Sequence, residues 1–575
     1  MKLKRIVALI ATVAMMATML FGCGKPADDK TTAAPADKTT AGAENKTDAP
    51  TDGSTEAPTE APPVYPLEGD HTITEWVFAS TQVEKFVTQY GYDQGGFQKM
   101  MENRPYAAKL KELTGINVQY VSPTSRENNA TEYQIMITEG NYTDILGFKG
   151  TEVEYYAEDG VIIAIDDIIE QYMPNYKAYL EANPEVEKVI RAADGKIYGV
   201  PMIMEDQTMG TTSGVFCRQD WLDELKIATP TTIDEWYDAL VKIRDAKKDV
   251  FTEGKAPIIA TITNLLQKGA FLNAYVPDRQ GGDWCIEDGK VTFIPAMDGM
   301  REYLKTLKKW FAEGLIDQNA FGSIGSSLIR GSIANGQAFM SIGFAGSSLQ
   351  RITTEAIAAG VTDIELTAVG NVAAKKGEAV KYYSGTPAIA TTTSQKCIST
   401  KCKDVEAAAR YLDFFFTEDG YMLSNFGIEG TTYNIVNGVP TYTDFILKNP
   451  EGLAINEAMA GYMTNFEGGY GIQAKAYLDG YYSTLKCTKE AIAKWTAGGE
   501  LDVTARNLKF TLEETEDMKL YSELTKFVKE ALLEFVKGDR DIDTGWDAFI
   551  KELDAYGYQE MKAIYEAAYQ RYLAQ

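Results

Sequence analysis

Asn117-Val118-Gln119-Tyr120-Val121 alternates its faces as a strand should, and Val161-Ile162-Ile163-Ala164-Ile165 is a continuous apolar run like a strand covered on both sides. Working outward from these runs, helical periodicity takes over. Thr232 with Glu235 three residues on reads as a capping box, opening a helix that carries Trp236, Leu240 and Ile243 on one face. Leu304, Leu307 and Phe311 mark a second helix that stops near Gly314; Leu520, Leu524, Phe527, Ala531 and Phe535 stack along a third near the C-terminus. Short strands alternating with amphipathic helices predict an α/β fold.

The segment from Leu67 to Gln575 exceeds what one hydrophobic core usually holds, so two lobes are expected. Ahead of it, residues 24–66 are dominated by Thr, Ala and Pro, with Tyr65 the one aromatic. Such a stretch cannot bury enough apolar surface to offset its ordering entropy, and it reads as a disordered spacer stiffened by proline. The chain starts with Lys2, Lys4 and Arg5, then an apolar run from Ile6 to Phe21, then Gly22-Cys23. This is an export-signal pattern over residues 1–22, too short for a membrane span of roughly 20 apolar residues. Leu20-Phe21-Gly22-Cys23 resembles a bacterial lipobox, which implies a lipid-carrying Cys23 as first mature residue. Two acyl chains on that cysteine would hold a soluble body at the outer face of the membrane.

The formal charge of −26 opposes nucleic acid and anionic lipid as partners and favours neutral ligands. His71 is the single histidine, which nearly removes Ser-His-Asp and Cys-His mechanisms and histidine-based zinc sites. Ser483-Thr484-Leu485-Lys486 matches S-x-x-K without its companion motifs. Glu205-Asp206 and Asp541-x-Asp543 could in principle form the carboxylate pair of a glycosidase, but in so acidic a chain such pairs arise by chance. Cys217, Cys285, Cys397, Cys402 and Cys487 are too few and too irregular for a disulfide framework, although Cys397 and Cys402 could pair across a short loop.

Several segments, taken in order, resemble extracellular solute-binding proteins of family 1, the carbohydrate-binding lipoproteins of ABC importers that include alginate- and oligosaccharide-binding members. They are Lys111–Ile116 with the strand after it, Thr138–Ile145, Asp194–Pro201, Arg218–Leu222, Pro230–Glu235, Trp284 with Asp288–Val291, Glu313–Asp317, Gly427–Gly430 leading to Tyr433, and Ala567–Tyr572. The resemblance implies a two-lobed type II periplasmic-binding fold that closes on its ligand by hinge bending. Lobe 1 is then expected at 67–207 plus 385–440 and lobe 2 at 208–384 plus 441–575. It implies a monomeric, non-enzymatic receptor without a cofactor, serving an ABC permease. Many relatives carry an Asp- and Asn-rich calcium loop where this chain reads Asp245-Ala246-Lys247-Lys248-Asp249-Val250-Phe251, so no calcium site is carried over.

Sugar recognition needs flat aromatic faces for pyranose rings, with carboxylates and amides at the ring edge. The matching positions nominate Phe148 and Lys149 after the Asp144 turn, Glu205 and Asp206 at a lobe crossing, and Trp284, Phe344 and Tyr433 in loops. Trp284 is the foremost, because Gly281-Gly282-Asp283 before it signals a flexible loop. A peptide or other solute as ligand, a surface glycoside hydrolase, and a structural or adhesive lipoprotein are the competing readings.

Overall fold

The computed structural model describes residues 65–575 except 79, 149, 362, 384–389, 465–468 and 500–502. The signal segment, Cys23 and nearly all of the spacer therefore lie outside the described residues.

The first lobe is built on a six-stranded sheet. Its strands are β1 (His71–Trp76), β2 (Ile116–Val121), β3 (Ile145–Phe148) and β4 (Val200–Met204), to which two later strands will be added. The second lobe holds β5 (Ser213–Arg218), the hairpin β6 (Trp284–Glu287) and β7 (Lys290–Phe293), β8 (Met340–Phe344) and β9 (Leu366–Ala368). The chain then returns to the first lobe through β10 (Ala390–Ile398), the hairpin β11 (Tyr433–Val436) and β12 (Val439–Tyr442), and β13 (Gly471–Gln473). The large sheet runs β13-β4-β10-β3-β1-β2, and β10 alone is antiparallel to its neighbours. In the second lobe β5 lies between β8 and β9, antiparallel to both.

The expected strand at Asn117–Val121 is present as β2, paired with β1 from His71 opposite Ile116 to Trp76 opposite Val121. Val161–Ile165 is not a strand. Only Ile162 makes an isolated bridge, to Ser399, while Ile163 N–H donates to Ile398 and Ile165 N–H to Ile197. Its apolar character serves a covered loop, which composition does not distinguish from a buried strand. The helix Ile233–Ala246 starts where expected: Thr232 accepts from Glu235 N–H, and Trp236, Leu240 and Ile243 are buried. In the helix Asp298–Ala312, Leu304 and Leu307 are buried and Phe311 partly so. The third stripe is shorter than read, since Leu520 ends the helix Leu512–Leu520 and is 74% exposed, whereas Leu524, Ala531 and Phe535 in the next helix, Ser522–Lys537, are buried.

At one place the packing departs from the expected lobe division. Residues 441–474 belong to the first lobe, because β13 is an edge of its sheet and Tyr442, Ile446, Ile455 and Met459 pack with Val83 and Phe86. The handover falls at Tyr481 and Tyr482, whose rings pack on the first and second lobes respectively. From the helix Lys486–Thr496 onward the chain packs on the second lobe: Trp495 lies against Gly214 and donates its indole N–H to Val215 O at 2.9 Å. A Cβ on Gly214 would meet that ring at 2.5 Å. The C-terminal helices also touch the first lobe, where the Tyr155 hydroxyl donates to Glu516 at 2.7 Å and Lys188 stands 3.9 Å over the Tyr572 ring.

The buried carboxylate at the centre of the first sheet is paired. Glu75, 1% exposed on β1, meets Lys396 at 2.6 Å and accepts from the Tyr411 hydroxyl at 2.8 Å. Asp144 ties the sheet together, accepting from Thr74 N–H and its hydroxyl, each at 2.7 Å. No disulfide joins the described cysteines, and burial pushes the Cys217 and Cys397 thiols up, so they stay protonated.

Candidate functional site at the lobe crossings

Strands β1, β2, β3, β4 and β13 are parallel, so their carboxyl ends share one edge of the sheet. Ligands of open α/β sheets bind outside that edge. Three crossings leave or enter there: residues 205–212 from β4 to β5, 369–389 from β9 to β10, and 474–485 from β13 toward the second lobe.

Glu205 and Asp206 sit on the first crossing and bind the third. Glu205 N–H donates to Gln473 O at 3.0 Å, extending the β4–β13 pairing by one residue. The Glu205 carboxylate accepts from Lys475 N–H at 2.6 Å and from the Tyr421 hydroxyl at 3.2 Å. It is exposed and keeps acceptor positions for a further donor. Asp206 pairs with the Lys475 ammonium at 2.7 Å and accepts from Thr208 N–H and hydroxyl at 2.8 and 2.7 Å. Burial works to raise the Asp206 pKa, but the Lys475 and Thr208 hydrogen bonds outweigh it and bring it to about 2. Burial, and then the charge of Asp206, raise the phenol of Tyr383 on the second crossing. One acidic knot therefore ties the first crossing to the third.

On the second lobe, Ser213 opens β5 directly after the first crossing and pairs with Phe344, the last residue of β8. That end of the small sheet faces the first lobe. Phe344 is 48% exposed, and the Lys268 ammonium stands 5.1 Å from its ring centroid. Burial lowers the Lys268 pKa against the opposing charge of Asp278. Beside the second crossing a cavity of about 630 Å³ is lined by Glu287, Asp288, Glu378, Lys381 and Tyr382, among others. The Tyr382 hydroxyl donates across it to Glu287 at 2.9 Å.

The other nominated side chains are elsewhere. Trp284 is no loop residue: it opens β6, is 7% exposed, and stacks on Tyr565 at 4.8 Å and Tyr558 at 5.9 Å in the second core. Phe148 ends β3 at the ligand edge, but its ring is 2% exposed and stacked on Tyr156 at 4.2 Å. Tyr433 is buried in β11 against Phe426. Lys149 lies outside the described residues. The structure thus brings Glu205, Asp206 and Phe344 to the crossings and puts Trp284, Phe148 and Tyr433 into packing.

Sequence reasoning missed Phe78. It follows β1 at the ligand edge, is 45% exposed, and is propped by Trp76 at 6.2 Å and Tyr133 at 5.6 Å. The signal was the alternation of His71–Trp76, which marks a strand whose carboxyl end Phe78 must flank. Lys475 and Tyr421 were missed because only folding brings them to Glu205.

The chemical candidates outside this site have structural duties. Asp541 caps the helix Ile542–Leu553 through Thr544 N–H, Asp543 faces Arg301 and Lys305, and the Ser483 hydroxyl donates to Gly480 O. In the segment without the calcium pattern, Lys247 pairs with Glu224 at 2.7 Å and lies 4.7 Å over Trp221. Among the described residues, no group of three or more His, Cys, Asp or Glu side chains is placed to hold a metal.

Two α/β lobes, joined by three crossings that meet at the ligand edge of the larger sheet, define a hinged solute-binding fold. The chain belongs to the bacterial extracellular solute-binding protein family, whose family model matches residues 92–422. It is 24% identical over 498 residues to the fructooligosaccharide ABC transporter substrate-binding protein FusA of Streptococcus pneumoniae, covering 81% of this chain and 86% of that one. Among solved structures, an alginate-binding protein without its calcium ion shares the fold with a TM-score of 0.62 and 22% identity, over 89% of this chain and all of the other. A solute-binding protein from Bifidobacterium longum infantis associated with an HMO-binding ABC transporter aligns with a TM-score of 0.65 and 16% identity, over 88% and 99%. Among the described residues no helix is long and apolar enough to cross a membrane.

Proposed function

We propose that this chain is a non-enzymatic surface receptor that captures an oligosaccharide between its lobes and delivers it to the permease of an ABC importer. The observation that carries the reading is that each lobe leaves an aromatic exposed at a sheet end next to the crossings, Phe78 after the carboxyl end of β1 and Phe344 opposite Ser213 where the first crossing enters β5. Exposed phenyl rings offer the faces that pyranoses stack on, and Glu205 offers acceptors for hydroxyl groups. Hinge bending about the crossings closes one lobe on the other, so a ligand that touches both lobes favours the closed form by its differential affinity. FusA, by its name, handles fructooligosaccharides for an ABC transporter, which supports the same ligand class here. The Cys23 lipid holds the monomeric body outside the membrane at the end of its spacer, and the cap made by Asp541 and the turn closed by Ser483 support binding without turnover.

The test is thermal unfolding of residues 65–575 against mono- and oligosaccharides, neutral and uronic, with a peptide set alongside. A ligand at 100 times its dissociation constant adds ~2.7 kcal/mol to stability. A saccharide shift without breakdown products supports the receptor. A shift with peptides alone overturns the carbohydrate assignment, and saccharide turnover overturns the non-enzymatic one.

A further inference from the structure

The hairpin β11–β12 carries an apolar tip that the fold leaves bare. Its root is anchored: Tyr433 and Tyr442, opposite each other in the register, are both 6% exposed, and the Tyr442 ring lies 2.8 Å from where a Cβ on Gly480 would stand. Gly480 belongs to the helix Lys475–Tyr481, which starts at the lysine that binds Asp206, so the hairpin stands beside the third crossing. Beyond the root, Ile435, Val436 and Val439 are 49%, 49% and 51% exposed. Asn437 and Gly438, with φ of +52° and +80°, close it in a tight turn that both residues suit. From Asn434 to Thr441 no side chain is charged, in a chain of net charge −26.

We propose that this tip is the importer-docking element of the first lobe, inserting Ile435, Val436 and Val439 into an apolar depression on the outer surface of the permease. The inference rests on the receptor reading above. A lipid surface fits less well, because the tip has neither the Trp or Tyr nor the Lys or Arg that anchor in headgroups. A second copy of the chain fits less well, because Pro440 removes a donor from the β12 edge and polar Asn434 and Thr441 flank the patch. The tether permits the geometry. The chain enters the first lobe at the opposite edge of the sheet, where Leu67 N–H donates to Thr114 O just before β2. A Pro-rich spacer gains up to ~3.1 Å per residue. Residues 24–64 can therefore let the body turn its crossings, and the hairpin beside them, toward the membrane.

The experiment places the photo-crosslinker p-benzoylphenylalanine at Val436 of the full chain in its native cells, and separately at the exposed positions Leu328, Leu520 and Leu573. Illumination is expected to join position 436 to an ABC permease subunit, with a yield at least fivefold lower when Ile435 and Val439 are both changed to Ser. Melting of the Ile435→Ser, Val439→Ser variant should match the parent, since both sites are exposed. A 436 adduct with lipid, with another copy of the chain, or with nothing overturns the proposal, as does an unchanged yield in the double variant. Permease adducts from another position but not from 436 sink the hairpin and spare the receptor reading; absence of permease adducts from all four positions sinks both.

Discussion

Trp284 and Phe78 are both large aromatics close to a strand end, and they have opposite fates. Trp284 begins a hairpin strand in the second lobe, and the C-terminal helix Tyr558–Ala574 folds over it with Tyr558 and Tyr565. Phe78 follows the carboxyl end of a parallel strand, with packing partners on one side and solvent on the other. Residue type does not separate them. What separates them is which edge of which sheet the residue flanks, and whether a distant part of the chain returns to cover it.

The sharpest way to break this contrast is to truncate the buried ring. Trp284→Ala should cost ~3–5 kcal/mol of stability, read as a fall in the urea midpoint at unchanged slope, because the cavity next to Tyr565 and Phe293 has lost its filling. A variant that folds almost as stably as the parent and loses ligand instead would move Trp284 into the binding site.

Phe78→Ala is the converse. Its melting temperature should stay within about 2 °C of the parent, as for a surface change worth ~0.5 kcal/mol or less, while saccharide affinity drops tenfold or more. Phe344→Ala should behave likewise and also change the environment of Lys268. Unchanged affinity in both variants would remove the aromatic faces from ligand capture and leave the hinge knot as the candidate site.

The fold was more legible than the site, for a physical reason. Helix caps and strand alternation are local, so Thr232 and the β2 run could be read where they stand. Glu205 and Asp206 were readable as crossing residues because their strand context is local as well. Their partner Lys475 comes from more than 250 residues later in the chain, and no short-range pattern links the two. Val161–Ile165 and Trp284 failed for the same reason: apolar content predicts cover, and the element supplying the cover is remote.

Lys475→Met tests the knot on a smaller scale. The Asp206 carboxyl sits at about 2, against an ordinary value of 3.8, so its contribution to stability is present above pH ~4 and is lost as pH falls through about 2. Both side chains are partly exposed, at 30% for Asp206 and 51% for Lys475, which limits the pair to ~0.2–1 kcal/mol. Unfolding free energies of parent and variant should differ at pH 5 and converge by pH 2. Parallel curves across that range would mean that Lys475 matters for something other than this carboxylate.

His71 gives the smallest effect and the cleanest signal, since it is the chain's one histidine. It opens β1 far from the crossings and lies 3.1 Å from Asp404, which caps the helix Val405–Phe414. The Asp404 hydrogen bond raises its pKa above 6.5, against the lowering by burial. A raised value means that the protonated form favours the folded state, so this stability is fully present below pH ~6.5 and is lost as pH rises through the folded value. The loss should appear as a slight decline in melting temperature from pH 6 to 8, absent in His71→Asn. Ligand affinity should stay level over the same range, because His71 stands at the amino end of β1 and Glu205 follows the carboxyl end of β4, at the opposite edge of the sheet. A histidine ring signal that titrates below 6.5 would show that Asp404 does not hold the imidazolium. A change in ligand affinity removed by His71→Asn would link the two ends of the sheet, and the separation between a packing edge and a binding edge would fail.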